Sequence, residues 1–320
     1  MNLIPYNRTD PAHSAAAAQM WSSACGPDLA IGERFVAYNT LPHTGKVQAG
    51  QFAMVDEAPV GFVLASLLQG DSAASPADHG HIDALVVSSS AQRHGYGSML
   101  LRWAEDWLQR QGCTSVALGA NMQPFVPGVP AELGALPFFT QYAYQPNAGY
   151  GEVWDMAADL RNYVTPSSGS KATGVTVRPA QPGDEDAMLG FLRREFPGGW
   201  RYNCEEHLRN GIRLSDYILL WSERGVDGVC LVTFEDSSSP LDRFYMHGLP
   251  HPWGQLGSIG VSASRRGQGY GGALLDGGLR RLRDHGVRGC IIDWLVLVDF
   301  YAKFGFHPYR KYIMLSKRLG

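Results

Sequence analysis

A glycine-rich phrase in the second half of the chain contains residue types that bind anions. The phrase, RRGQGYGGALL, spans residues 265–275 and follows the apolar run LGSIGVS. The pattern predicts that a helix begins within it, and a helix N-terminus exposes unpaired N–H groups and a partial positive charge. Glycines ahead of that helix let the backbone approach a phosphate closely, and Arg265 and Arg266 add positive charge. The phrase therefore predicts a diphosphate-binding loop.

A partial copy of this phrase, AQRHGYGSMLL, lies upstream at residues 91–101. A shift of 174 residues places Gly95 on Gly269, and flanking apolar positions on both sides match at the same shift. The similarity thus extends over a predicted strand, the loop and a predicted helix. An isolated glycine turn recurring by chance would not carry its flanking positions with it, so we infer an internal duplication.

The chain has 320 residues, a length that suits two domains. Its segment TPSSGSKATG, residues 165–174, is rich in Ser, Gly and Thr and interrupts the apolar pattern, which predicts a linker. We therefore predict an N-terminal domain over residues 1–164 and a C-terminal domain over residues 174–320. Each domain is predicted to hold a strand and helix, then a β-hairpin, then a strand–loop–helix–strand unit. This order indicates an α/β (α+β, mixed-sheet) fold.

Composition and charge limit the partners and the compartment. The 27 basic and 30 acidic side chains give a net charge of −3, so no overall attraction to nucleic acid or to an anionic membrane is expected. The N-terminal sequence lacks a basic region followed by an apolar core, which predicts a cytoplasmic protein. The five cysteines show no C-x-x-C spacing, so we predict neither a disulfide framework nor a metal site.

The downstream loop also matches the dinucleotide-binding fingerprint G-x-G-x-x-G at Gly267, Gly269 and Gly272. Two observations weigh against this alternative. The upstream copy has Arg93 and Ser98 where the first and third glycines of the fingerprint would stand. The letters SASRR also separate the downstream loop from its strand, whereas the fingerprint follows its strand almost directly. A dinucleotide-binding oxidoreductase is kept as an alternative.

Both copies resemble the Q/R-x-x-G-x-G/A loop of the GNAT N-acetyltransferase superfamily. The phrase DFYAKFGFHPY, residues 299–309, is similar to the penultimate helix of that fold and its aromatic-glycine-aromatic ending. The phrase PFFTQYAYQ, residues 137–145, is its counterpart in the first half. The resemblance covers most of both halves. It implies two tandem GNAT-like acyltransferase domains that use acetyl-coenzyme A as co-substrate.

The resemblance also implies which residues contact the coenzyme. The loop would bind its diphosphate, and the strand ahead of the loop would offer backbone groups to its pantetheine arm. In the second half the predicted coenzyme-binding residues are Ile259, Val261, Arg266, Gly267, Gln268, Gly269, Tyr270, Gly271 and Gly272. In the first half they are Gln92, Gly95 and Gly97.

Acetyl transfer to an amine needs a neutral nucleophile and a proton for the leaving thiolate. Tyr301 matches the position where the family often places a tyrosine that protonates the sulfur of coenzyme A. Asp293, at a predicted strand end, is the predicted base, with Asp299 as the reserve and His247 as a weaker candidate. The structural alternatives are a packing role for Tyr301 and a turn or cap role for Asp293.

The two halves differ at the predicted proton donor. At the later signature the shift falls to 162 residues, because the first half carries 12 extra residues in or near NMQPFVPGVPAELGALP. This shift places Phe139 opposite Tyr301, and a phenyl ring cannot donate a proton. We therefore predict that the C-terminal domain is catalytic and that the N-terminal domain is degenerate.

The acceptor is predicted to be a primary amine on a small molecule. FPGGWRY, PGVP and DFYAKFGF resemble tandem members that acetylate glucosamine or glucosaminides, and Trp200 and Tyr202 are candidates for stacking on a sugar. A non-catalytic coenzyme A sensor is the non-enzymatic alternative. The sequence leaves open the acceptor, the general base, coenzyme binding by the N-terminal domain and the oligomeric state.

Overall fold

The computed structural model describes residues 2–167, 169, 172–240 and 248–320. Contacts divide this described part into two compact units. The first unit contains residues 2–153 and 310–320, and the second contains residues from 154 to 309. No helix in the described part of the chain is both long and apolar enough to span a membrane.

The secondary structure alternates strands and helices in both halves. The described strands are β1 (Asn2–Pro5), β2 (Lys46–Val55), β3 (Ala58–Leu68), β4 (His79–Val87), β5 (Ser115–Leu118), β6 (Val129–Pro130), β7 (Gln145–Pro146), β8 (Glu152–Asp159), β9 (Thr176–Pro179), β10 (Tyr217–Ser222), β11 (Gly225–Thr233), β12 (Trp253–Val261), β13 (Gly289–Leu295), β14 (His307–Ile313) and β15 (Leu315–Arg318). The described α-helices are α1 (Pro11–Cys25), α2 (Glu33–Asn39), α3 (Tyr96–Arg110), α4 (Leu136–Thr140), α5 (Glu185–Glu195), α6 (Gly199–Arg209), α7 (Tyr270–Asp284) and α8 (Val298–Ala302).

The first unit is built on a sheet of order β1-β2-β3-β4-β5-β15-β7. The predicted hairpin is formed by β2 and β3, which pair antiparallel up to Val55 and Ala58. The strands β4 and β5 run parallel, joined by α3, so the predicted strand–loop–helix–strand unit is confirmed. The apolar face of α3 packs on this sheet through Leu100, Leu101 and Leu108, all of which are fully buried.

The second unit repeats this arrangement with the order β8-β13-β12-β11-β10-β9. Its hairpin is formed by β10 and β11, and its parallel pair is β12 and β13, joined by α7. Leu274, Leu275 and Leu279 of α7 are buried in the core of this unit. Gly286, just after α7, has a φ of 83°, a left-handed conformation that commonly ends a helix.

Each unit takes one strand from the other half of the sequence. In the first unit β15 pairs with β5, whose neighbour β4 precedes the first glycine loop. In the second unit β8 pairs with β13. The contact-based units therefore differ from the predicted domains at residues 154–164 and 310–320. The predicted boundary followed chain order, whereas strand pairing depends on long-range contacts that composition does not show.

Candidate functional site

The glycine loop of the second unit connects the end of β12 to the start of α7. A 3-10 turn at Ala263–Arg265 follows the strand, and Gly267 and Gly269 then have φ angles of 77° and 87°. These left-handed conformations favour glycine. Gly269 is the N-cap of α7, and among the described residues no side chain caps this helix. The first N–H groups of α7 are therefore available to an anion.

The remaining predicted loop residues contribute in different ways. Gln268 is exposed, and its Nε2 donates a hydrogen bond to the carbonyl of Ser264 at 2.9 Å. Tyr270 and Gly272 are buried on the core side of α7, and Gly271 is half-buried. Tyr270, Gly271 and Gly272 occupy the first turn of α7. They can therefore offer backbone N–H groups to a ligand.

The two arginines of the loop have different roles. Arg265 forms an ion pair with Glu223, lies 3.5 Å from the Asp227 carboxylate and stacks over the ring of Tyr270. Arg266 is exposed, and no ion pair joins it to another described residue. Arg265 therefore stabilises the loop, and Arg266 supplies the positive charge that remains available to a ligand.

The loop is anchored to the sheet by the buried carboxylate of Asp227. Ser262, the last residue before the 3-10 turn, donates its N–H to the Asp227 carbonyl at 2.9 Å and its hydroxyl to Oδ1 at 2.6 Å. Ser222 and Arg224 donate to the same carboxylate at 2.6 and 2.9 Å. Burial alone would raise the pKa of Asp227, but these donors outweigh it and lower the pKa to about 2.

The strands β12 and β13 separate next to this loop. Their parallel pairing ends at Gln255 and Ile291 among the described residues, although β12 continues to Val261. A β-bulge with Ser258 at a φ of 47° lies at the point of separation. The edge of β12 that faces β13 is therefore unpaired from residue 256 onward. Ile259 and Val261, predicted to contact the coenzyme, lie in this unpaired part.

The two predicted catalytic residues lie close to the separated strands. Tyr301, on α8, is only 6% exposed, and its hydroxyl forms no hydrogen bond within the described part of the chain. Burial raises the pKa of Tyr301 above its usual range, and the nearby carboxylate of Asp293 raises it further. Asp293 is half-buried on β13. The Tyr301 hydroxyl therefore stays protonated at neutral pH and can act as a proton donor.

The alternative bases are placed less favourably. Asp299 is exposed in the first turn of α8. His247 lies outside the described residues. His251 in the same loop region is exposed, with Nδ1 3.4 Å from the Glu235 carboxylate. Among these candidates Asp293 is the one whose charge acts on Tyr301 by raising its pKa.

The first unit repeats the backbone of the loop but has a neutral residue at the position of Arg266. Gly95 caps α3 with a φ of 88° and a ψ of −5°, and Gly269 has 87° and −6°. Arg93 adopts a φ of 67° where the second unit has Gly267. Gln92, the counterpart of Arg266, donates a hydrogen bond from Nε2 to the Val87 carbonyl at 3.1 Å. The first loop thus keeps its shape but lacks a free cation at this position.

The later signature is also repeated, because α4 and α8 begin 162 residues apart. Phe138 lies 3.3 Å from the position that a Cβ atom on Gly97 would take. Its counterpart in α8, Phe300, lies 3.7 Å from the corresponding position on Gly271. In both units an aromatic ring of the later helix therefore packs against the glycine loop. The aligned position next to that ring is Phe139 in the first unit and Tyr301 in the second.

Two residues that support the site were not predicted from the sequence. Asp155, fully buried on β8, accepts a hydrogen bond from the backbone N–H of Trp294 at 3.0 Å, next to Asp293. Glu195, at the end of α5, accepts a hydrogen bond from the N–H of Ala263 at 2.9 Å, in the turn before the glycine loop. Neither residue belongs to a motif, and Asp155 lies in the half of the sequence assigned to the other domain.

Comparison with known proteins gives one matching family. The profile of the family described as "Acetyltransferase (GNAT) family" matches residues 22–125 and 188–306, which together exceed half of the chain. These two ranges contain the two glycine loops. No curated protein sequence matches the chain significantly.

Several solved structures share the fold of the whole chain. A fungal protein described as a GCN5-related glucosamine N-acetyltransferase region of a multi-domain GH3 β-N-acetylglucosaminidase matches with a TM-score of 0.86 and 23% identity, covering 99% of this chain. The chain spans 38% of the length of that protein. A tandem GNAT protein from the clavulanic acid biosynthesis pathway matches with a TM-score of 0.73 and 15% identity, covering 100% of this chain and 98% of its own. A GCN5-related N-acetyltransferase from Sphaerobacter thermophilus matches with a TM-score of 0.68 and 20% identity, covering 99% and 96%. Because the family profile matches more than half of the chain and covers both repeated glycine loops, the chain belongs to the acetyltransferase (GNAT) family.

Proposed function

We propose that the protein is an acetyl-coenzyme A-dependent N-acetyltransferase whose second unit transfers acetyl to a primary amine of a small molecule. The observation that carries this proposal is the separation of β12 and β13, with the glycine loop at its end and Tyr301 and Asp293 beside it. Such an arrangement combines an anion site, an unpaired strand edge, a proton donor and a carboxylate in one unit.

The residues of the second unit fit the coenzyme. The N–H groups at the start of α7 and the free guanidinium of Arg266 would bind the diphosphate. The unpaired edge of β12 around Ile259 and Val261 would hydrogen-bond to the amide groups of the pantetheine arm. When bound, acetyl-coenzyme A supplies an activated thioester.

The transfer needs one base and one acid. The amine nitrogen attacks the thioester carbonyl carbon, a C–N bond forms and the C–S bond breaks. Asp293 accepts the proton that the amine loses, directly or through one water, and the Tyr301 hydroxyl gives its proton to the departing sulfur. Because the pKa of Tyr301 is raised, its proton is present over the whole neutral pH range.

The first unit is proposed not to catalyse transfer. Phe139 stands at the position of Tyr301, and the neutral Gln92 stands at the position of the charged Arg266. The backbone of its loop, with Gly95 and Gly97, still suits a diphosphate, so coenzyme binding by this unit stays a prediction.

The acceptor is proposed to be an amino sugar or a related small amine. One structure with the same fold is described as a glucosamine N-acetyltransferase region, and Trp200 lies on the same unit as the proposed catalytic residues. The expected cytoplasmic location and the expected lack of nucleic-acid and membrane partners stay predictions.

Two alternative functions, an oxidoreductase and a coenzyme A sensor, remain to be compared with this proposal. The dinucleotide-binding oxidoreductase is not supported, because β12 pairs antiparallel with β11 and a 3-10 turn separates its end from Gly267. A coenzyme A sensor would use the same loop and would not depend on Tyr301. Turnover of an amine therefore distinguishes the acetyltransferase from the sensor.

The direct test is a thiol-release assay with acetyl-coenzyme A and a panel of amines headed by glucosamine and short glucosaminides. Wild-type protein is expected to turn over at least one amine class, and Tyr301→Phe should lower kcat by roughly 100-fold or more, as expected for a general acid. The matched change Phe139→Tyr in the first unit should leave kcat unchanged. Tight coenzyme binding without turnover of any amine would instead indicate the sensor.

A further inference from the structure

Two glycines of β12 face the same side of the sheet next to the strand separation. Gly257 pairs with Leu231 and Gly260 pairs with Val229, and these two partners lie two residues apart on β11. Residues two apart on a strand point to one face, and cross-strand partners share it. The bulge at Ser258 therefore turns both glycines toward the face that α5 and α6 cover.

The position of Gly260 is covered by aromatic rings. A Cβ atom on Gly260 would lie 2.4 Å from the ring of Phe196 and 2.7 Å from the ring of Trp200, closer than any side chain allows. The two rings contact each other with centroids 4.7 Å apart. Glycine is thus required at 260 because the rings rest directly on the strand, and they form an apolar wall there.

The position of Gly257, by contrast, is not covered by any described side chain. A Cβ atom on Gly257 would lie 3.8 Å from Asp293 Oδ1 and 4.0 Å from Gln255 Nε2, with no other atom of a described, non-adjacent residue within 4 Å. Gln255 is half-buried, and its amide forms no hydrogen bond within the described ranges. Above Gly257 there is therefore a hollow with a carboxylate and an amide N–H on its border.

The first unit has the same position filled. At the shift of 174 residues Gly257 aligns with Asp83, which is 1% exposed. Its carboxylate accepts hydrogen bonds from Gln48 at 2.8 Å, from Ser66 at 2.9 Å and from Asn121. Burial raises the pKa of Asp83 to about 6. In the first unit a buried, hydrogen-bonded side chain thus occupies the position that no described side chain occupies in the second unit.

We propose that the hollow above Gly257 holds the acceptor and selects amines that carry a hydroxyl on the neighbouring carbon. This proposal deepens the proposed function and rests on it. The amine nitrogen lies beside Asp293, which accepts its proton, and the hydroxyl oxygen accepts a hydrogen bond from Gln255. The Phe196 and Trp200 rings cover the carbon skeleton. The filled position at Asp83 leaves the first unit without an acceptor site.

The test compares the wild type with Gly257→Ala and Gln255→Ala, using cyclohexylamine and 2-aminocyclohexanol as paired acceptors. The methyl group of Gly257→Ala makes only ordinary contacts, so the fold should persist. It projects into the hollow, however, and should lower kcat/KM for both amines about tenfold or more. Gln255→Ala should lower kcat/KM about tenfold for the amino alcohol and much less for cyclohexylamine. Gly190→Ala, on α5 with no atom near its Cβ position, adds the same methyl elsewhere and should change neither value.

Acetyl-coenzyme A affinity, measured by calorimetry, should be equal in all four proteins. Two results would contradict the proposal that the hollow holds the acceptor while leaving the proposed function intact. In both, the wild type acetylates amines; in the first Gly257→Ala retains full kcat/KM, and in the second Gln255→Ala affects both amines equally. If the wild type acetylates no amine while binding the coenzyme, the proposed function fails and this inference fails with it.

Discussion

A single buried carboxylate, Asp227, holds the end of β12 ahead of the glycine loop. Its pKa is lowered to about 2 in the folded protein, mainly because hydrogen bonds from Ser222, Ser262 and Arg224 outweigh the effect of burial. A depressed pKa stabilises the fold above the unfolded-state pKa near 4, and this stabilisation is lost as the pH falls toward 2. The shift corresponds to about 2 kcal/mol at neutral pH.

We therefore predict that Asp227→Asn is less stable than the wild type by about 2 kcal/mol at pH 7 and that this difference shrinks between pH 4 and pH 2. Urea unfolding of both proteins across this pH range measures it. Asp106→Asn, at an exposed site on α3, serves as the control and should change little. A destabilisation of Asp227→Asn that is independent of pH would contradict the role of the ionised carboxylate.

At the scale of elements, the bulge of β13 sets the direction of Asp293. The bulge lies between Ile292 and Leu295, and Trp294 within it has a φ of 54°. The backbone N–H of Trp294 is held by Asp155 of β8 at 3.0 Å. We therefore infer that Asp155 is a positioning residue for the proposed base, Asp293.

Substitution of Asp155 should act on turnover more than on coenzyme binding. Asp155→Leu removes the acceptor and leaves the Trp294 N–H unsatisfied, which costs about 1–3 kcal/mol. Its kcat should fall about tenfold or more, while acetyl-coenzyme A affinity stays near the wild-type value. Asp155→Asn keeps an acceptor oxygen and should retain more activity than Asp155→Leu. Equal kcat values for the wild type and Asp155→Leu would show that the bulge does not depend on this contact.

The elements that sequence patterns predicted are the local ones. The glycine loops at Gly95 and Gly269 and the two hairpins follow from short-range signals, and the helix at Tyr301 follows from the family resemblance. The structure confirms all of these elements. The exchanged strands β8 and β15 could not be assigned in this way, because nothing in either short segment specifies the sheet with which it pairs. The hollow above Gly257 was also not predictable, since it depends on a bulge and on side chains from β13, α5 and α6.

At the scale of the whole molecule, each unit contains strands from both halves of the sequence. The first unit includes β15 beside β5, where Leu315 is buried and Lys317 pairs with Glu105 at 2.9 Å. The second unit includes β8 beside β13, with Met156, Ala157 and Ala158 buried. Separation of the two halves would therefore remove one strand from each sheet.

We predict that cleavage of the chain between residues 165 and 174 does not separate the fragments under native conditions. A specific protease site inserted in this segment, followed by size-exclusion chromatography, tests this. The nicked protein should elute as one species, and the fragments should separate only in denaturant. Fragments that separate in native buffer, each retaining its folded spectrum, would contradict the strand exchange.

The central claim is that the second unit, and not the first, uses the coenzyme for transfer. The most direct measurement compares Arg266→Glu with its matched variant Gln92→Glu, following thiol release and acetyl-coenzyme A affinity in the same preparations. Reversing the charge of Arg266 should weaken coenzyme binding about tenfold or more and lower kcat/KM in parallel, because a diphosphate is then repelled. The account predicts that Gln92→Glu leaves kcat/KM unchanged. Loss of turnover in Gln92→Glu with full activity in Arg266→Glu would place catalysis in the first unit and contradict it.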